Sequence, residues 1–200
     1  MADILIAYNS DYKDKAHNLF ESCADKAKQI SVNNGKSYTP LTTPDFTSDR
    51  LMSDIVNHHL CVIAAHGDAE GIYNENGDDV ITVHTTNCNC AGKGIYSISC
   101  SCAANLCEHL MGIGAKFFVG YNRPFRFTGE IEPFIDSSMS GLNALLSGQD
   151  VKATKEEMLN VYDTLITESD PNTVTHFFLV HNKESLLFAG DEHCCYQDLV

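Results

Sequence analysis

The sequence has few basic residues and no long apolar run. Of its 200 residues only 13 are Lys or Arg, against 27 Asp and Glu, so the formal net charge is −14. A surface of that sign repels phosphate groups, and we expect neither nucleic acid nor a membrane as a partner. No apolar run approaches the roughly 20 residues that a membrane-spanning helix needs, so we predict no such helix.

The start of the chain also lacks the basic segment of a secretory signal. The apolar patch behind it covers only residues 4–8, and we therefore expect a cytoplasmic protein without a signal peptide. In that reducing compartment the nine cysteines are expected as free thiols, some of which only pack the core. The balance of 44% hydrophobic and 20% charged residues is typical of a folded protein, and the length fits one domain over residues 1–200.

Short apolar runs, typical of buried strands, alternate with segments of helical periodicity. The predicted strands are 4–8, 60–65, 80–83, 95–99, 115–121 and 175–180, with a short one at 185–189. The predicted helices cover 16–30, 51–56, 103–111, 139–146 and 154–166, and the acidic stretch 68–79 is predicted as a hairpin. This alternation predicts a three-layer α/β/α sandwich with a mostly parallel central sheet.

Two reactive side chains follow predicted core strands. His66 ends the run 60–65 and Cys100 ends the run 95–99. Ligand sites in open α/β sheets gather at the carboxyl ends of strands, and neighbouring strands lie only about 5 Å apart. A Cys/His pair at such an edge supplies a nucleophile and a proton donor for a leaving amine. Gly67 lets its N–H approach a substrate closely, and the helix predicted after Cys100 would stabilise a thiolate.

The order of these segments resembles the caspase-like fold of cysteine peptidases, which includes caspases, metacaspases, legumains and gingipains. The closest resemblance is to short bacterial CHAT-like peptidases. It rests on the His-Gly pair at 66–67, the cysteine block SISCSCAANL at 97–106 and the strand GAKFFVGY at 114–121. The segment HNKESL at 181–186 resembles a C-terminal "HN-x-x-S-L" segment of the short relatives, so the resemblance covers roughly residues 4–190.

The resemblance implies a cysteine endopeptidase that acts on a protein or peptide substrate. His66 and Cys100 would form the catalytic dyad, with His66 acting mainly on the leaving group. The backbone N–H groups of Gly67 and Cys100 would form the oxyanion hole. The resemblance implies no cofactor and no metal. It suggests a role in bacterial defence or cell death through limited cleavage, and it leaves a partner protein or activator open.

Two points within the site stay open in the sequence. Cys102 follows Cys100 by two residues, and we favour Cys100 because a helix capped near Ser101 would place Cys102 in its first turn. For the substrate-binding surface we expect Asp68, directly after the His-Gly pair, and three residues that follow the strand 115–121. These three are Tyr121, Asn122 and Arg123. Acidic residues after the His-Gly pair would favour a basic side chain in the substrate.

Two readings outside peptidase chemistry also remain. The same fold can serve as a non-catalytic binding domain. A structural zinc site is the less favoured alternative, because the C-x-C spacing is tighter than the usual C-x₂₋₄-C. Its candidate ligands are Cys88, Cys90, Cys100, Cys102, Cys107 and His109.

Overall fold

The computed structural model describes residues 3–86 and 88–200, and its centre is a six-stranded sheet. The strands, in chain order, are β1 (Ile4–Tyr8), β2 (Tyr38–Thr42), β3 (Leu60–Ala64), β7 (Gly94–Ser97), β8 (Phe117–Tyr121) and β9 (Leu186–Gly190). Across the sheet they follow the order β2-β1-β3-β7-β8-β9. All neighbours are parallel except β8 and β9, which are antiparallel.

A small antiparallel sheet follows β3 directly. Its strands are β4 (His66–Gly67), β5 (Gly71–Tyr73) and β6 (Asp79–Thr82), paired in that order. The turn between β5 and β6 passes through Gly77, whose φ of 81° favours glycine. The acidic stretch 68–79 thus forms a hairpin of its own beside the carboxyl edge of the central sheet.

Helices cover both faces of the central sheet. They are α1 (His17–Asn33), α2 (Ser48–Ile55), α3 (Asn105–Gly112), α4 (Glu132–Leu146), α5 (Val151–Glu168) and α6 (Val174–Ser185), with a 3₁₀ turn at Tyr196–Asp198. Because successive side chains of a strand point to opposite faces, β1 sends Ile4 and Ile6 to one apolar core and Leu5 and Ala7 to the other. Helices α1, α4 and α5 close the first core, and α2 and α3 close the second. The predicted α/β/α sandwich is confirmed.

Two segments differ from the sequence prediction. Residues 175–180, predicted as a strand, lie inside helix α6. The hydroxyl of Thr173 accepts a hydrogen bond from the N–H of His176 at 3.3 Å and caps this helix, and the side chains at 179, 182 and 185 are buried on one face. Residues 38–42, for which no strand was predicted, form the edge strand β2, where the missing N–H of Pro40 is tolerated on the open side.

The cysteines also differ from the expectation that all are free. Cys88 and Cys90 form a disulfide, with their Cα atoms 5.4 Å apart. That Cα separation lies within the range that disulfides span. The other seven cysteines are free thiols. In the part of the chain that the structure describes, no helix is long and apolar enough to cross a membrane.

Candidate active site

The parallel register of β3 and β7 brings His66 and Cys100 to corresponding positions. Ile63 pairs with Ser97 in this register, and each reactive residue lies three positions beyond its member of that pair. The N–H of Ile98 still donates to the carbonyl of Ile63 at 2.7 Å, so the two chains run side by side up to the edge. Both residues therefore leave the sheet at the same carboxyl edge.

Gly67 lies at the contact between the segment that carries His66 and the turn that carries Cys100. A Cβ atom on Gly67 would lie 3.0 Å from the Cβ of Ser99 and 3.1 Å from the carbonyl oxygen of Cys100. It would also lie 3.0 Å from the carbonyl oxygen of Gly71. Only a residue without a side chain fits this approach, so glycine at 67 holds the His66 segment against the turn that carries Cys100.

The backbone N–H groups of Gly67 and Cys100 have no hydrogen-bond acceptor among the residues that the structure describes. The N–H of Asp68 donates to the carbonyl of Gly71 at 2.9 Å, which makes these two a hydrogen-bonded pair of the hairpin. Because such pairs alternate in antiparallel strands, the Gly67–Ile72 pair is a non-bonded one, and the Gly67 N–H points away from β5. The Cys100 N–H donates to no group within residues 3–86 and 88–200.

His66 is oriented by residues from the segment after β1 and from α1. Its Nε2 lies 2.5 Å from an Oδ atom of Asp14, and its ring meets the ring of Phe20 edge-on at 5.1 Å between centroids. The fully buried Asn9 donates from Nδ2 to the same Asp14 carboxylate at 2.7 Å. The other Asp14 oxygen accepts from the N–H of Ala16 at 2.8 Å. The imidazole is thus held on one side by a fixed negative charge.

Sequence reasoning did not identify Asp14 or Asn9 as site residues. The signal lay in the strand order, because β1 is the neighbour of β3 and its carboxyl end opens at the same edge as His66. Polar residues directly after the first predicted strand were therefore candidates for the same site.

The Cys100 thiol is partly exposed, and its Sγ lies 3.8 Å from the carbonyl oxygen of Phe125. Burial raises the pKa of this thiol, while the hydrogen bond to Phe125 and the positive charge of Arg126 lower it in part. Cys102 differs because its side chain is fully buried. Its thiol donates to the carbonyl of Ser99 at 3.3 Å, and burial raises its pKa to about 11.

The helix after Cys100 begins later than the sequence predicts. Helix α3 starts at Asn105, so Cys100 is not at its N-terminus, and the expected stabilisation of a thiolate by this helix end does not apply. The intervening turn contains Ser101 with a φ of 56°, and the N–H of Ser101 donates to the carbonyl of Arg123 at 3.1 Å. The turn that carries Cys100 is therefore fixed by the segment after β8.

The four expected substrate-binding residues have different environments. Tyr121 is buried, with its hydroxyl 2.8 Å from that of Tyr162, so its side chain packs the core instead of lining a cleft. Asp68 is exposed, but one carboxylate oxygen accepts three hydrogen bonds inside its own hairpin. Asn122 and Arg123 are exposed after β8, beside the Cys100 turn.

An open groove of about 710 Å³ lies beside His66, between residues 11–15 and the hairpin residues 73–77. Lys13 and Lys15 contribute to its wall, whereas Cys100 does not line it.

The ligands considered for a zinc site do not come together. Among residues 3–86 and 88–200, no group of three or more His, Cys, Asp or Glu side chains is placed to hold a metal ion. His109 instead lies with Nε2 3.1 Å from the carbonyl oxygen of Thr85. Cys88 and Cys90 are paired with each other.

Comparisons with known proteins bear on the fold. No protein-family model and no curated protein sequence matches the chain. Among solved structures, a secreted C11 cysteine protease from Bacteroides thetaiotaomicron, iotapain, is similar with a TM-score of 0.54 and 10% identity. The match covers 88% of this chain and 64% of the protease, so this chain spans less than two thirds of that protein. Oxidised flavodoxin 2 from Bacillus cereus matches 57% of this chain and 77% of the flavodoxin chain at 16% identity. Its TM-score of 0.35 is too low to indicate a shared fold. The likeness to the protease supports a caspase-like α/β/α fold.

Proposed function

We propose that this protein is a cysteine endopeptidase with Cys100 as nucleophile and His66 as proton donor to the leaving amine. The observation that carries the proposal is the β3–β7 register, which puts these two residues at corresponding positions on one sheet edge. The similarity to the C11 cysteine protease supports a fold on which such chemistry occurs. The CHAT-like resemblance and a role in bacterial defence or cell death belong to the proposal as well.

The chemistry begins with the neutral thiol that burial favours at Cys100. The thiol gives its proton to the His66 imidazole, directly or through water, while its sulfur forms a bond to the peptide carbonyl carbon. The N–H groups of Gly67 and Cys100 bind the resulting oxyanion. The Asp14 carboxylate stabilises the imidazolium that forms at His66.

The tetrahedral intermediate then breaks its C–N bond, and the departing amine takes the proton from His66. The remaining thioester is attacked by a water molecule, which gives its proton to the neutral imidazole. The acid product leaves and the proton returns to the sulfur, so the thiol and the imidazole are both restored.

A second candidate is a non-catalytic binding domain with the same fold. The pKa of the Cys100 thiol, which burial raises, favours this candidate, because a thiolate is the better nucleophile. In that case the groove beside His66 would bind a peptide without cleaving it.

A peptide-library cleavage assay separates the two candidates. We expect the wild-type protein to cleave a subset of peptides, Cys100→Ala and His66→Ala to lose that activity, and Cys102→Ala to keep it. Cys102→Ala is the matched control, since it removes a thiol two residues away that is fully buried. Alkylation with iodoacetamide at neutral pH, mapped by mass spectrometry, should modify Cys100 before Cys102.

Each other outcome is informative. Equal cleavage by all four proteins would disprove the dyad. Loss in Cys102→Ala together with retention in Cys100→Ala would make Cys102 the nucleophile. Absence of cleavage by the wild type, with peptide binding that is unchanged in Cys100→Ala, would support the binding domain.

A further inference from the structure

The segment after β8, residues 122–126, is held in place by helix α6. The fully buried Asn182 accepts from the N–H of Arg126 at 2.9 Å and donates to its carbonyl at 2.7 Å. His181 lies with Nε2 2.9 Å from the carbonyl oxygen of Pro124. The "HN" pair of the C-terminal motif therefore fixes the peptide groups on both sides of Phe125, whose carbonyl contacts the Cys100 thiol.

This clamp fixes the backbone of Arg126, the residue that follows Phe125. The guanidinium carbon lies 5.7 Å from the ring centre of Phe178, on α6, in a cation–π arrangement. The residue itself is exposed. The positive charge of Arg126 lowers the pKa of the Cys100 thiol. The guanidinium thus contacts the Phe178 ring, and the residue remains exposed to solvent.

Arg126 also lacks a charged partner. The chain has three arginines, of which Arg50 pairs with Asp54 and Arg123 pairs with Glu184. Arg126 forms no ion pair with any residue that the structure describes. The Arg126 guanidinium is therefore available to bind an external anion.

Three acidic side chains near His66 form hydrogen bonds within the protein. Asp14 is bound to His66, Asp68 accepts hydrogen bonds inside its hairpin, and Glu70 is bound by the side chain of Asn105. The sequence-based expectation of a basic side chain in the substrate rested on the acidic residues of the segment 68–79, of which Asp68 and Glu70 are two. These carboxylates thus have hydrogen-bond partners within the protein, whereas Arg126 forms no ion pair with a described residue.

We propose that Arg126, positioned by Asn182 and Phe178, binds the carboxylate of an acidic substrate residue within two positions of the cleaved bond. This inference rests on the proposed peptidase function and names its substrate class. The planar guanidinium can bind a carboxylate through two parallel hydrogen bonds, which a lysine or a glutamine cannot reproduce. Asn182 acts as a positioning residue, since it contacts Arg126 and not the substrate.

The test compares matched peptides that carry Glu, Gln or Lys at one position near the cleaved bond, with wild type and Arg126→Gln. We expect the wild type to prefer Glu over Gln, and Arg126→Gln to lower kcat/KM for the Glu peptide about 10- to 100-fold. The rate with the Gln peptide should change by less than about threefold. The ratio of the two rates isolates recognition from any change in the reactivity of Cys100. Arg126→Lys should recover only part of the preference.

Arg50 serves as the control, and Arg123 tests an alternative assignment of the anion site. Arg50→Gln, on α2, removes the same charge far from the site and should leave the Glu-to-Gln ratio unchanged. Arg123→Gln removes a neighbouring arginine that is already paired with Glu184. An equal fall of the ratio in Arg123→Gln and Arg126→Gln would overturn the assignment to Arg126.

Two outcomes of the cleavage assay distinguish a wrong substrate class from a wrong peptidase function. Cleavage that depends on Cys100 but prefers Gln or Lys peptides, in wild type and Arg126→Gln alike, would reject the acidic substrate and keep the peptidase. Absence of any cleavage would reject the peptidase and this inference with it.

Discussion

Nε2 of His66 lies 2.5 Å from the carboxylate of Asp14, a residue 52 positions earlier in the chain. The side chain of Asp14 is only 12% exposed, whereas that of His66 is 49% exposed. A shielded carboxylate thus holds an imidazole that faces the solvent. In the proposed mechanism this arrangement stabilises the imidazolium that protonates the leaving amine.

Asp14→Asn should therefore lower the rate of peptide cleavage. Asparagine keeps the oxygen that accepts from the Ala16 N–H, so the local turn should survive. It removes the negative charge beside His66, and we expect kcat/KM for a peptide to fall about 10- to 100-fold. An ester with a good leaving group needs no proton, so its hydrolysis should fall by less than about threefold.

The comparison of peptide and ester separates a role in proton donation from a general structural effect. Asp136→Asn, which removes an exposed carboxylate paired with Lys26, is the matched control and should change neither rate. If Asp14→Asn lowers the peptide and ester rates equally, the carboxylate does not act through the proton on His66.

The pH dependence of Cys100 alkylation tests the environment of the thiol. Burial raises the pKa of Cys100, so the neutral thiol predominates at pH 7 and the reactive thiolate increases as the pH rises through that pKa. The rate of alkylation by iodoacetamide should still be rising above about pH 8.5, the ordinary pKa of a cysteine. Arg126→Gln should move the curve to higher pH. A rate that levels off below pH 7 would show instead a thiolate stabilised in the resting protein.

Gly67→Ala should damage activity more than stability. The new Cβ would lie 3.0 Å from the Ser99 Cβ, tighter than ordinary van der Waals contact, so the segments that carry His66 and Cys100 must shift by a few tenths of an ångström. We expect a loss of about 1–3 kcal/mol in the free energy of unfolding, measured with urea. A displacement near 1 Å at a catalytic pair can cost about 100-fold in kcat/KM. Gly129→Ala, where a Cβ meets no atom within 4 Å, should leave both quantities unchanged.

Much of the sheet could be predicted from the sequence because its strands are continuous apolar runs. Such runs, as at Ile4–Tyr8 and Leu60–Ala64, are typical of strands covered on both faces. The segment 175–180 was misread for the same reason, since a short apolar run rich in β-branched and aromatic residues does not distinguish a strand from a helix. Its helical state depends on the Thr173 cap, which is a local feature, and on the burial of residues 179, 182 and 185, which is a tertiary feature.

The site could be predicted only in part. His66 and Cys100 were identified because each directly follows a core strand, a local property of the sequence. Asp14 was missed because its relation to His66 depends on the neighbouring positions of β1 and β3, and a single sequence does not show which strands are adjacent. The function of Asn182 was hidden in the same way, since its partner Arg126 lies 56 residues away.

Asn182→Ala should loosen the segment that carries Arg126. The side chain of Asn182 is fully buried and makes two hydrogen bonds to the backbone of Arg126, both of which alanine removes. Because Arg126 is exposed, water can replace these bonds, and we expect a loss of only about 1–2 kcal/mol in the free energy of unfolding. Asn160→Ala, at an exposed position of α5, is the control for stability. The preference for a Glu peptide over a Gln peptide should fall in Asn182→Ala even at temperatures where the variant is fully folded. An unchanged preference in the folded variant would mean that Arg126 is oriented without the clamp, and that Asn182 serves only the packing of α6.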